Sequence, residues 1–140
     1  MAADKILSNY NITHYDFDPD GTSATSAGWV AMENYSEFCA SFFRTVGTSA
    51  ATIVVQAATD SSGTNATTVL TYSGSAPDAV GDYVFLETDA AEIQGASDSL
   101  SFTHVGMTIT FATGTDEAVV TYVRGGARYA NDGETSDNIA

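Results

Sequence analysis

The sequence predicts an all-β domain, an antiparallel β-sandwich or jelly roll, and three observations carry that expectation. Short apolar runs rich in β-branched and aromatic residues recur along the middle of the chain. Clusters of Gly, Ser, Asp and Asn separate them, and helical periodicity is nearly absent. The chain has 140 residues with 44% hydrophobic residues, including seven Phe, seven Tyr and one Trp. A domain of that length buries roughly two-thirds of its unfolded surface and needs no staple to fold.

Taken in order, residues 1–26 mix Asn, Asp, Ser, Thr and Gly with a few aromatics and show no sustained period, so they are expected to form an irregular N-terminal arm. Trp29–Met32 and Phe38–Phe43 supply the first strands of a domain over residues 27–125. Ile53–Ala57 and Thr67–Tyr72 flank Asp60–Thr64, a long hairpin loop. Tyr83–Leu86 is another β-rich run. Asp89–Gln94 is the one helical candidate, a turn or two ending at Gly95. Leu100–His104 and Met107–Phe111 meet at Val105-Gly106, which leaves room only for a tight turn. In the second of these, Met107, Ile109 and Phe111 share one face and threonines the other. Val119–Val123 closes a set of about eight strands, the number and spacing of a sandwich. Residues 126–140 are polar again and form the expected C-terminal arm.

Charge narrows the function classes. Eighteen acidic residues face four basic ones, Lys5, Arg44, Arg124 and Arg128, for a net charge of −14. That balance repels phosphate backbones and anionic lipid, so neither nucleic acid nor membrane is an expected partner. No run is long enough for a spanning helix. The first residues lack the basic and apolar regions of a signal peptide, so the expectation is synthesis in a cytoplasm. Asn11, Asn34 and Asn65 fit the glycosylation pattern, but without a signal they read as chance matches in a Ser/Thr-rich chain. Cys39, the only cysteine, excludes an internal disulfide and reads as a buried small hydrophobe.

No motif points to catalysis, and the chain is expected not to be an enzyme and to need no cofactor. Asp16-Phe17-Asp18-Pro19-Asp20-Gly21 matches the first half of a calcium loop. Its twelfth position falls on Ala27 where a bidentate Glu is required, and Pro19 stiffens it, so it reads as an acidic surface turn. Calcium would bind weakly only if Glu33 or a neighbouring subunit completed the shell. His14 and His104 are too few for most metal sites, and His104 shares the parity of Leu100 and Phe102, as a partly buried structural histidine would. Asp116-Glu117, Glu33 and Glu37 lack the defined spacing of a catalytic carboxylate pair. No nucleophile elbow, phosphate loop or dinucleotide fingerprint occurs.

Arg44, Arg124 and Arg128 have two readings of equal weight: pairing with a partner's carboxylates, or pairing within the domain. The arms offer Tyr10, Tyr15, Phe17 and Tyr129 as aromatic anchors, so the candidate interface comprises Tyr10, Tyr15, Phe17, Arg124, Arg128 and Tyr129.

The stretch from Asp116 to Gly133, with Thr67–Leu70 and Gly81–Glu87 before it, resembles small structural proteins of tailed bacteriophages. The likeness runs from Trp29 onward, and head decoration (cement) proteins are the most similar in size and character. The resemblance implies a virion protein on the capsid exterior, a homotrimer clamping neighbouring major capsid subunits. It matches no family motif residue by residue, so no functional residue is transferred. The alternatives are a tail or head–tail component of the particle, a carbohydrate-binding module stacking sugars on an exposed Tyr or Trp29, and, last, a hydrolase.

Overall fold

The computed structural model describes residues 10–74 and 77–126. Those residues form nine strands and one short helix: β1 (Asn11–Phe17), β2 (Thr25–Ser26), β3 (Val30–Ala31), β4 (Glu37–Val46), β5 (Ala51–Ala58), β6 (Thr67–Thr71), β7 (Tyr83–Asp89), α1 (Ala90–Gly95), β8 (His104–Phe111) and β9 (Glu117–Gly125). They build two antiparallel sheets, one in the order β1-β9-β4-β7 and the other β2-β8-β5-β6, with β3 also pairing β8. The architecture is the expected all-β sandwich.

Period-two alternation builds the core. Phe38, Ala40 and Phe42 of β4 and Ala118, Val120 and Tyr122 of β9 point inward from the first sheet. Ile53, Val55 and Ala57 of β5 and Met107, Ile109 and Phe111 of β8 meet them from the second, all essentially inaccessible. Phe38 packs edge-on against Tyr122 with ring centroids 5.1 Å apart, and Phe42 lies 6.1 Å from Phe111. Each large side chain so buried stabilises the fold by about 1.5–3 kcal/mol. The Tyr122 hydroxyl reaches across the sandwich, accepting the Met107 N–H at 2.6 Å and donating to the Gly28 carbonyl at 2.9 Å. It ties the first sheet to the backbone of the second, and burial raises its pKa.

Three expectations are corrected. Residues 11–17, placed in the N-terminal arm, are β1, paired with β9 from Asn11↔Arg124 to Phe17↔Ala118. Its inward positions begin with polar Asn11 and Thr13 and end with Tyr15 and Phe17, which masks the alternation; Asn11 is buried because it accepts the Arg124 Nη2–H at 2.6 Å. The turn expected at Val105-Gly106 is instead strand, and β8 runs straight through it. Gly106 is there for proximity: a Cβ would overlap the Gly28 carbonyl oxygen, which crosses over the strand at that point. The run Trp29–Met32 contributes only the two-residue β3.

The expected strand Leu100–His104 supplies only His104, the first residue of β8, and the remaining expected elements hold. β5 and β6 form the hairpin around the 59–66 loop, where the Asp60 carboxylate accepts the Ser62 N–H at 2.9 Å and the Thr64 N–H at 3.1 Å. Asp89 caps α1 by accepting the Glu92 N–H at 2.8 Å.

Candidate interaction surface

The outward face of the β1-β9-β4-β7 sheet follows from the strand registers. Phe43 stands between Val119 and Tyr83, Ser41 between Thr121 and Phe85, and Cys39 between Val123 and Glu87. β1 completes these rows with Asp16, His14 and Ile12 opposite Val119, Thr121 and Val123. Among these twelve positions Asp16 and Glu87 are charged. The same parity adds Glu37 and Asp89 at one end of the face and Glu117 at the other, so the carboxylates of the face lie at its rim around an uncharged centre.

The β7 side of this face is aromatic. Phe43, Tyr83 and Phe85 are 45%, 63% and 61% exposed, and the last two rings meet edge-on with centroids 5.4 Å apart. Val46 and Val80, also exposed, extend the apolar strip at the end where β7 begins. Isolated exposed apolar residues are ordinary, but a contiguous aromatic strip depleted of charge has the composition of a contact surface.

Beyond it, Tyr10 borders an open groove of about 730 Å3 with Glu37, Glu87, Asp89 and Glu92 along its walls. Cys39 also lines this groove and is half-buried on the outward face, not in the core as expected, because the inward positions of β4 are Phe38 and Ala40. Burial, with a smaller push from Glu87, raises its thiol pKa and keeps it protonated at neutral pH.

The anchors anticipated from sequence are dispersed. Phe17 is in the core against Phe111, at 5.7 Å. Tyr15 is half-buried, its ring 5.1 Å from Tyr122, and its hydroxyl pKa is raised by burial. Arg124 is used inside the domain: it donates to the Ala31 carbonyl at 2.8 Å and to Asn11 Oδ1, and stacks 4.8 Å over the Tyr35 ring. Arg44 is likewise internal, paired with Asp116. Tyr10 is exposed, while Arg128 and Tyr129 lie outside the described residues. Sequence reasoning missed Phe43, Tyr83 and Phe85. The signal was the parity of Tyr83–Leu86, where Val84 and Leu86 face inward and the two aromatics cannot.

The remaining candidates also find their places. Trp29 is half-buried with its ring against Gly63 and Gly106. His14 Nδ1 bonds Thr121 Oγ1 at 2.9 Å, and His104 Nδ1 bonds Thr103 Oγ1 at 2.8 Å. Among the described residues no group of three or more His, Cys, Asp and Glu could hold a metal ion. Asp18 and Glu117 do approach each other, and the hydrogen bond and charge of Asp18 raise the Glu117 pKa. No described helix is long and apolar enough to cross a membrane.

Fold and surface together define an antiparallel β-sandwich with an exposed aromatic strip on one sheet face. No family model matches the chain, and no curated protein matches it. Similar solved structures include the SPBc2 prophage-derived protein YomS, at 15% identity and TM-score 0.46, over 87% of this chain and all of that one. Another is a disulfide-linked pilus protein of Bacillus endospore appendages, at 14% identity and TM-score 0.43, over 89% of this chain and 97% of that one. A third is VP2 of infectious bursal disease virus, at 14% identity and TM-score 0.42, over 85% of this chain and 31% of that one. Likenesses this distant do not assign a role.

Proposed function

We propose that the chain is a non-enzymatic structural protein of a tailed-phage particle, which decorates the capsid and stabilises it by bridging major capsid subunits. The observation that carries this reading is the outward face of the β1-β9-β4-β7 sheet. A heavily acidic protein keeps the carboxylates of that face at its rim and leaves Phe43, Tyr83 and Phe85 in water nearer its centre. Exposed aromatics are unfavourable in an isolated chain and favourable in a contact, where they are prominent among residues that dominate binding energy. The sandwich behind them has its own buried core, so the face is held rigid before any partner arrives. Adding buried interface across subunit junctions is how such a protein would strengthen a shell against internal pressure. The resemblance of the 67–70, 81–87 and 116–133 segments to phage structural proteins supports reading the particle as that of a tailed phage.

The test is a protein inventory of purified particles, followed by reconstruction. The reading expects the chain in stoichiometric amount, with density on the head exterior touching more than one capsid subunit. Absence from particles overturns it, and density confined to the tail replaces capsid decoration with a tail role.

A further inference from the structure

We propose that strand β7 is a self-association edge, through which two copies of this chain pair antiparallel about a two-fold axis. Sheet edges invite pairing, and proteins blunt them with short strands, irregularities, prolines or charges. Three of the four edges here are blunted. β2 and β3 are two residues long, β6 carries a register shift between Val55 and Gln56 of its partner strand, and β1 presents Asp16 and His14. β7 is different. Its residues Tyr83-Val84-Phe85-Leu86-Glu87-Thr88-Asp89 contain no Pro, Gly or Lys, confine their carboxylates to the Glu87–Asp89 end, leave the Tyr83–Phe85 half aromatic and uncharged, and pair with β4 without a register shift. Among the described residues it pairs with no other strand.

The hydrogen-bond parity says which groups that edge offers. Arg44 N–H donates to the Asp82 carbonyl and Ala90 N–H to the Ser36 carbonyl, each at 2.9 Å, so the even-numbered residues bond toward β4. The N–H and C=O groups of Tyr83, Phe85 and Glu87 therefore face away from it. An antiparallel pairing centred on Phe85 sets Phe85 against the same residue of the second copy, and Tyr83 against Glu87 on either side. All three opposing pairs are then of the hydrogen-bonded kind.

The self-complementary register makes a second copy the fitting occupant. Two molecules of net charge −14 repel over most of their surfaces, but in this register no carboxylate opposes a carboxylate, since each Glu87 meets a Tyr83. The aromatic strip is continuous with the edge. With about 200 Å2 for each exposed aromatic side chain, their fractional exposures leave roughly 340 Å2 of Phe43, Tyr83 and Phe85 in water on each copy. That area plus one strand edge lies in the range of transient contacts, so the dimer should be of micromolar strength. An isologous contact closes at two copies, and a three-fold assembly would have to use another surface. The inference stands whether or not the chain belongs to a particle.

The test is light scattering of the full chain at up to about 100 μM, at moderate salt, for the native sequence and for Phe85→Lys. The native chain should approach twice the monomer mass, and Phe85→Lys should weaken dimerisation about tenfold or more with its melting temperature unchanged, because the side chain is exposed. In a Cys39→Ser background, Phe85→Cys should cross-link on oxidation, since hydrogen-bonded pairs hold their Cα atoms about 5.5 Å apart, within disulfide reach. A monomeric native chain, a trimer, a dimer indifferent to Phe85→Lys, or a monomer that dimerises only after its own termini are removed would each overturn the proposal.

Discussion

Arg44 Nη1 lies 2.8 Å from Asp116 Oδ2, and both side chains are buried. The guanidinium also donates to the Pro77 carbonyl at 2.6 Å and the Ser49 carbonyl at 2.5 Å, and it stacks 5.0 Å over the Phe111 ring. The carboxylate accepts the Ser49 N–H at 3.0 Å and the Ser49 hydroxyl. One ion pair thus joins the β4–β5 turn, the approach to β9 and the loop preceding β7. Gly47, at φ +89°, gives it room: a Cβ there would overlap the Asp116 carboxylate. A buried pair is stabilising when its remaining donors and acceptors are satisfied, as these are.

Removing one partner strands the other. Asp116→Asn or Arg44→Met should each cost about 3–5 kcal/mol in denaturant unfolding. The double substitution Arg44→Met with Asp116→Leu should be less destabilised than the sum, since it buries no uncompensated charge.

The same pair sets an acid limit. The Ser49 hydroxyl hydrogen bond, then the Arg44 contacts, hold the Asp116 carboxyl below its ordinary value of 3.8. Its contribution is fully present above pH 3.8 and is lost as pH falls through the lower folded-state value. Melting curves between pH 7 and pH 2 should steepen at that end, and Asp116→Asn should remove that part of the slope.

Glu117 acts with the opposite sign. Asp18 raises its carboxyl above the ordinary 4.5, so the contribution is fully present below that pH and is lost as pH rises through the folded-state value. Glu117→Gln should therefore raise the melting temperature at pH 7, and the gain should shrink as pH approaches 4.5. A variant less stable than the native chain at pH 7 would contradict this.

Two substitutions probe the seam between the sheets. Tyr122→Phe leaves the Met107 N–H without its acceptor and leaves the Gly28 carbonyl only the longer hydrogen bond from the Ser26 hydroxyl, and should cost about 1–3 kcal/mol in denaturant unfolding. Gly106→Ala forces a Cβ onto the Gly28 carbonyl oxygen, a backbone atom with little freedom to yield, and should cost about 1–3 kcal/mol or more. Circular dichroism should show native strand content in both.

Much of the sandwich was legible because its central strands bury one face. Met107, Ile109 and Phe111 announce β8, and Ile53–Ala57 and Val119–Val123 announce β5 and β9, by alternation alone. β1 was not legible, since the partner that makes inward Asn11 acceptable, Arg124, is 113 residues away. Gly106 was misread because a glycine within a strand signals a turn or a close approach equally well, and only the path of Gly28 decides. The interaction surface was sought in the polar ends, whereas the exposed aromatics sit on β4 and β7, inside runs that read as core. Both faces of Tyr83–Leu86 are apolar, so pattern gives no sidedness there; the register with β4 does.

The central claim is that this sheet face is the surface through which the chain joins a particle. Its most direct test is incorporation of Phe43→Lys with Phe85→Lys into particles, beside the native chain, after matching melting temperatures show that both are folded. Native chain should be present in stoichiometric amount and the variant reduced by about tenfold or more. Equal incorporation of the two, or a native chain missing from particles, would contradict it.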